Sequence, residues 1–337
     1  MPDLPRCILF SGLGGAGQRH LRLLRELLPE TKMIGTRRTG KTPVLNPDFT
    51  VKINTTLEDE YGIQLLPDIE EAYSYKPDLC VIATPTAFHE QEILKALSHG
   101  SDVLVEKPGA TSANQANNIA TALNAVNNKF MVSFQRRFHP LVRRMKEFVG
   151  SGKLGQIMSV RVAIASHVPD WHPYEDFKEL YACKSELGGG VLRTEIHEID
   201  IITWLFGSPV NVFATGGVRG PYKLDVEDCA ELLLDYKKYS VLMSLSFMQK
   251  KQERRFYIAG RDGWLELDLI AQRLEYGIHE SGESAVVSDA LSNDDMFREQ
   301  ARYFLYEHEK GDRQYINSLV QNMEILESCF TQMNYNN

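Results

Sequence analysis

The sequence predicts an α/β protein built in two parts, and three observations predict it. Over the first 135 residues, short apolar runs alternate with amphipathic stretches, the pattern of a parallel sheet covered on both faces. A glycine turn, Gly12-Leu13-Gly14-Gly15-Ala16-Gly17, ends the first run and opens the first helix. After residue 136, strand follows strand through tight turns, which predicts a largely antiparallel sheet. A chain of 337 residues has room for two domains at roughly 100–200 residues each, divided here as 1–135 and 136–337.

Each element has a local reason. Cys7 to Ser11 is an apolar strand. Leu21, Leu24 and Leu28 recur at helical spacing until Pro29 closes the helix. Met33 to Thr36 is the second strand, and Thr39 to Glu60 is polar and irregular. Asp68 caps a helix over Ile69 to Tyr75, and Leu79 to Ala83 is a buried strand. A helix from His89 to His99 stops at Gly100. Val103 to Val105, a helix capped by Ser112, and a strand from Phe130 to Phe134 complete the first part. In the second, a helix over Pro140 to Val149 precedes strands at 157–166, 210–217, 230–236, 241–247, 256–259 and 264–269. Helices are expected at 191–206, 296–310 and 318–332, and the charged run Gln249 to Arg255 reads as a solvated turn.

Composition narrows the function classes. Lysine plus arginine is 37 against 45 acidic residues, a formal charge of −8, which disfavours a nucleic-acid partner. No apolar run approaches the ~18 residues of a membrane span, so no membrane partner is expected. Five dispersed cysteines (Cys7, Cys80, Cys183, Cys229, Cys329) suit reduced thiols and a cytoplasmic location.

The glycine turn matches G-x-G-x-x-G in the strand-to-helix context that dinucleotide binding requires, so Gly12, Leu13, Gly14, Gly15, Ala16 and Gly17 are expected to hold a pyrophosphate. A carboxylate after the second strand would bind the ribose hydroxyl of NAD. The segment Gly35-Thr36-Arg37-Arg38-Thr39 has none. The planar donor forks of Arg37 and Arg38, with Thr36 beside them, suit a 2′-phosphate and favour NADP(H) over NAD(H).

Val105-Glu106-Lys107-Pro108 follows a strand at the sheet's carboxyl edge, where open α/β sheets hold ligands. With it stand, in order, Ala83-Thr84-Pro85-Thr86 and His89, Arg136-Arg137-Phe138-His139-Pro140, Gly152-Lys153-Leu154-Gly155, and Leu187-Gly188-Gly189-Gly190-Val191-Leu192 followed by His197-Glu198-Ile199-Asp200. On these motifs and on Gly12 to His20, the chain resembles the glucose–fructose oxidoreductase/inositol dehydrogenase (Gfo/Idh/MocA) family over nearly its whole length. The resemblance implies an N-terminal Rossmann domain and a C-terminal α/β domain with an open, mostly antiparallel sheet, pairing through that sheet into homodimers or homotetramers. It implies an NAD(P)-dependent dehydrogenase or reductase acting on CH–OH groups of a sugar, polyol or sugar nucleotide. Lys107 is then catalytic or substrate-orienting, His197 an acid/base, and Thr84, Pro85, Thr86 and Glu106 line the nicotinamide side. Many such members carry an aspartate four residues before the histidine. Here that residue is Arg193, with Thr194 and Glu195 beside it, which leaves three readings open: His197 works with Lys107 alone, a neighbouring group replaces the aspartate, or Arg193 binds an anionic substrate group such as a carboxylate or phosphate.

Further candidates follow from position. His89 and Gln135 are assigned to the cofactor. Arg137, Trp171, Tyr174, Tyr181, Arg193 and Thr194 are assigned to the substrate, and Asp200 to orienting His197. No metal site is expected, since His197 and Asp200 are too few ligands. Two rival readings share the fold: NAD-dependent glycoside cleavage, and a non-catalytic dinucleotide-binding sensor. The missing carboxylate after the second strand weighs against the first, and Lys107 against the second.

Overall fold

A computed structural model describes residues 4–37, 42–171 and 175–333. The chain forms two compact units. The first holds residues up to 134 together with Asn293–Val320, and the second holds Gln135–Trp171, Asp176–Ser292 and the chain from Gln321 on. The cofactor unit predicted as 1–135 thus regains a segment from near the C-terminus.

The first unit runs β1 (Cys7–Ser11), α1 (Gly15–Leu27), β2 (Lys32–Thr36), α2 (Leu57–Tyr61), β3 (Gln64–Leu66), α3 (Ile69–Ser74), β4 (Leu79–Ile82), α4 (His89–Ser98), β5 (Asp102–Val105), α5 (Ala113–Asn124) and β6 (Phe130–Val132). The strands form one parallel sheet in the order β3-β2-β1-β4-β5-β6. The order reverses between β1 and β4, so their carboxyl ends open the crevice where α/β sheets bind ligands. Every residue of β1 and β4 is buried, as a strand covered on both faces requires. Asp68 and Ser112 cap α3 and α5 as expected, accepting from the amides of Glu71 at 2.8 Å and Gln115 at 3.3 Å. The stretch expected to be irregular holds α2 and an isolated bridge between Leu45 and Val51.

The second unit contributes α6 (Pro140–Gly150), β7 (Ile157–His167), α7 (Val191–Thr194), α8 (Ile196–Phe206), β8 (Asn211–Gly217), β9 (Cys229–Asp235), β10 (Ser240–Ser246), β11 (Met248–Gly260), β12 (Gly263–Asp268), β13 (Arg273–Ile278) and β14 (Ser284–Ser288). The chain ends in α9 (Asn293–Tyr306), in the first unit, and α10 (Gln314–Gln332), whose residues divide between the units. The eight strands form one sheet, β14-β13-β12-β11-β7-β10-β9-β8, antiparallel except for β7 beside β10. Val160, Val162, Ile164, Val241, Met243, Leu245, Phe256 and Ile258 point to one buried face. On the opposite face the strand registers set Phe213, Leu233, Leu242, Arg161, Tyr257, Glu266 and Glu275 in one row across the sheet. Phe213 and Leu242 are each 52% exposed.

Three expectations are corrected. Gln249 to Arg255 is no solvated turn: it lies within β11, whose register slips between Met248 and Glu253, and it buries Arg254. The helix predicted over 191–206 breaks at Glu195, which leaves the helical region at φ −94°, ψ 29°. Two further strands, β13 and β14, follow the last one predicted.

Candidate functional site

In the first unit the glycine turn is shaped by its own backbone. Gly12 has φ +89°, and a Cβ there would lie 2.7 Å from backbone atoms of Ala83 and Thr84. A Cβ on Gly17 would lie 2.1 Å from the Gly12 carbonyl, so helix and turn pack only with glycine. A Cβ on Gly14 would meet nothing within 4 Å. Gly14 therefore has open space before it, room that a phosphate approaching its amide would need. No side chain caps α1, and its first turn carries no acidic residue, so the positive end of the helix is left for an anion. Gln18, buried beside the turn, donates to the carbonyls of Leu13 and Pro43 and accepts from the Leu45 amide.

The Gly12 amide donates to Thr36 O at 3.3 Å, which sets the end of β2 against the glycine turn. Arg37 follows, half-buried, with Nη2 on the Thr42 carbonyl. Its expected partner Arg38 lies outside the described residues.

Thr84-Pro85-Thr86 forms the turn after β4. His89 holds it, donating from Nε2 to Thr84 O at 2.8 Å, and Thr84 Oγ1 donates to Glu92 at 3.0 Å. His89 is 1% exposed, and its Nδ1 has no hydrogen-bond partner among the described residues. Burial pushes its pKa down to about 4 against the pull of Thr84 O and Glu106. The unfolded chain therefore binds a proton below about 6.5 that the folded one refuses until about 4. This contribution to stability is complete above pH 6.5 and is lost as pH falls through 4. We expect acidification across that window to cost roughly 3 kcal/mol through this group, and His89→Gln to flatten that part of a denaturant-midpoint profile. An unchanged slope would mean His89 protonates freely in the fold.

Glu106 sits beneath Lys107. It is 8% exposed, pairs with His20 Nε2 at 2.7 Å, and accepts from the Lys107 amide at 3.3 Å. Burial would raise its pKa, but the hydrogen bond and charge of His20, with Lys107 and Ser133, pull it below the usual carboxylate range. Glu106 is thus a fixed anion, and its strand end presents a half-buried Lys107. His20 was not assigned a role from sequence, although it closes the matched glycine motif. Its α1 position brings the ring to the Glu106 carboxylate just past the end of β5.

The second unit carries the remaining candidates. A Cβ on Gly189 would strike the Tyr181 carbonyl at 2.4 Å, and one on Gly190 (φ +105°) the Glu227 carboxylate at 2.3 Å. Gly189 therefore admits the Tyr181 carbonyl and Gly190 admits Glu227, which is 1% exposed and accepts from the Leu192 amide at 3.1 Å. Burial raises its pKa to about 7, against the Leu192 amide and Arg193. Arg193, 6% exposed, places its guanidinium 4.5 Å over the Phe330 ring and donates to Gly189 O at 3.4 Å. Thr194 is buried, Tyr181 half-buried, and Trp171 packs edge-on against Phe247 at 5.0 Å. Tyr174 lies outside the described residues. Gln135 is 6% exposed with no hydrogen-bond partner for its Oε1 among those residues.

His197 lies in the first turn of α8, 4% exposed. Its flanking carboxylates are clamped. Arg254 donates to Glu195 Oε2 at 2.8 Å and to Glu198 Oε1, and Arg136 stands 3.5 Å from Glu198. Burial would lower the Arg254 pKa, but Glu195 and Glu198 hold it above the usual range. Asp200 does not serve His197 as expected. Arg137 takes its carboxylate in two bonds of 2.7 and 2.6 Å, and Asn322 donates to it at 3.0 Å. The same pair gives Arg137, expected at the substrate, an interior task.

Residues 7–134 match the oxidoreductase family described as an NAD-binding Rossmann fold, and residues 142–266 match the GFO/IDH/MocA C-terminal domain. The chain belongs to the Gfo/Idh/MocA family. It is 28% identical over 269 residues, 78% of this chain and 72% of the relative, to the inositol 2-dehydrogenase/D-chiro-inositol 3-dehydrogenase of Shouchella clausii. It is 29% identical over 157 residues, 45% of this chain and 43% of the relative, to the D-glucoside 3-dehydrogenase of Escherichia coli. For three further curated relatives the aligned part spans 33%, 65% and 42% of the relative's own length. A solved levoglucosan dehydrogenase in complex with NADH and levoglucosan shares the Gfo/Idh/MocA fold over 97% of both chains, with a TM-score of 0.81 at 17% identity. Among the described residues, no helix is long and apolar enough to cross a membrane.

Proposed function

We propose that this Gfo/Idh/MocA chain is an NAD(P)-dependent oxidoreductase that moves a hydride to or from a carbinol carbon of a sugar, polyol or sugar nucleotide. The observation that carries it is the glycine turn: two of its glycines are demanded by the protein's own backbone, and the third leaves an open approach at the uncapped start of α1. Amides there would hold the pyrophosphate. When bound, the dinucleotide supplies or accepts the hydride. The chain's own residues do the rest. Lys107, backed by Glu106 and His20, donates to the substrate oxygen and stabilises it as the proton leaves. His197 takes that proton, and a general base of this kind contributes about 10²–10⁴-fold. Relatives named as inositol and glucoside dehydrogenases support the substrate class.

NADP(H) is the proposed cofactor, because β2 ends at Thr36 and Arg37 follows it with no carboxylate beside them. The thermal midpoint should rise further with NADP⁺ than with NAD⁺ at equal concentration, and Arg37→Ala should erase the difference. A larger rise with NAD⁺ would reverse the assignment. The apolar row of exposed Phe213 and Leu242 with half-buried Leu233 between them supports a second copy of this chain as the partner on the open sheet face.

A further inference from the structure

A second array of acid–base groups lies in the second unit, outside the residues assigned above. His167, the last residue of β7, is 8% exposed and has both ring nitrogens engaged: Nδ1 with Asp170 Oδ2 at 2.6 Å, and Nε2 with the Tyr222 hydroxyl at 2.6 Å. The Asp170 side chain is 69% exposed and Tyr222 is half-buried, its ring set edge-on to Phe177 at 5.4 Å.

The proton count fixes the polarity of this array. A carboxylate accepts only, so a singly protonated ring in this array carries its proton on Nδ1 and accepts through Nε2. The Tyr222 phenol must then donate to Nε2. Its oxygen keeps lone pairs that can accept from a donor such as a ligand hydroxyl.

A simple staple between loops is the plainer explanation, but both loops are already anchored. The Val168 amide donates to Phe247 O at 3.0 Å, and Ser185 bonds Asp225. Asp228 takes the amides of Arg219 and Gly220 at 2.9 and 2.8 Å, closing the loop that carries Tyr222. The neighbouring Glu227 holds the Leu192 amide at the start of α7. The Tyr222 loop and the turn leading to His197 therefore hang from consecutive residues at one end of the sheet.

We propose that Tyr222, backed by His167 and Asp170, is a second proton-handling group for a polyhydroxy substrate. This rests on the oxidoreductase reading. When a polyol presents to Tyr222 a carbinol other than the one His197 serves, its C–H bond breaks with the electron pair leaving as hydride to an oxidised nicotinamide, and the hydroxyl O–H proton passes to the Tyr222 oxygen. The phenol's own proton passes to His167 Nε2, and Asp170 balances the imidazolium. The phenol ends neutral, now donating to the new carbonyl.

The test uses the full chain with NADP⁺ or NAD⁺, and myo-inositol, D-glucose and levoglucosan as probes. Tyr222→Phe should lower kcat about 10²-fold. In mixtures of H₂O and D₂O the proton inventory of kcat should be curved in the wild type and linear in the variant, a change that loss of a staple would not produce. Calorimetric titration of the same probes onto NADPH-loaded protein, where no turnover occurs, should show binding weakened about tenfold by Tyr222→Phe. Turnover and binding both indifferent to Tyr222→Phe would overturn the proposal and leave the oxidoreductase reading intact. Tyr222-dependent binding with no turnover of any probe would sink the redox step while leaving the hydroxyl site. A wild type that binds no probe overturns both.

Discussion

Lys107→Ala should cut turnover about 10²–10³-fold while dinucleotide affinity stays within a few-fold of wild type. The magnitude is that of removing one pre-aligned donor from a developing oxyanion. The alignment comes from below: Glu106, held anionic by His20, accepts from the Lys107 amide at the end of β5. The cofactor's anchor is elsewhere, on the Gly12–Gly17 turn and α1, so binding and chemistry should separate. Steady-state rates with a polyol substrate, beside cofactor titration of the same variant, check both halves. Turnover unchanged by Lys107→Ala would remove this residue from the reaction.

The largest stability effect is expected at Arg254. Arg254→Met strips the guanidinium from buried Glu195 and Glu198, beside which Arg136 stands 3.5 Å from Glu198 and the Ser166 hydroxyl 3.4 Å from Glu195. Breaking a buried ion pair by removing one partner costs about 3–5 kcal/mol, because the stranded charge keeps its desolvation penalty. Arg254→Lys keeps the charge but loses the fork that spans both carboxylates, so it should cost less. Urea unfolding of the three proteins orders them wild type, Lys, Met. A Met variant as stable as wild type would show that the two glutamates are protonated or solvated in the fold.

Arg254 also shows where sequence reading stopped. Gln249 to Arg255 is polar at every position, and alternation is the signal by which a half-buried strand is recognised. The partners that neutralise Arg254 lie about 60 residues away, at a helix break no local pattern announces. Glu227 was hidden for the same reason. Its task is visible only from Gly190, whose missing side chain makes room for the carboxylate.

What was legible is local in origin. The parallel sheet declared itself through continuous apolar runs such as Cys7 to Phe10, and the caps Asp68 and Ser112 are single-residue chemistry. The glycine turn was readable because Gly12 and Gly17 answer to backbone a few residues away or one strand over. Asp200 went the other way. Three residues after His197 in a helix, it invited a pairing, but the fold brings Arg137 and Asn322 to it instead.

The most direct test of the account follows deuterium. A polyol deuterated at its carbinol carbons is incubated with the protein and NADP⁺, and the reduced nicotinamide is examined by mass spectrometry. The account predicts one deuterium on the nicotinamide per oxidised carbinol, with the signal lost in Lys107→Ala. A carbonyl product whose dinucleotide carries no deuterium, or a panel of sugars and polyols that all leave NADP⁺ and NAD⁺ oxidised, would contradict it.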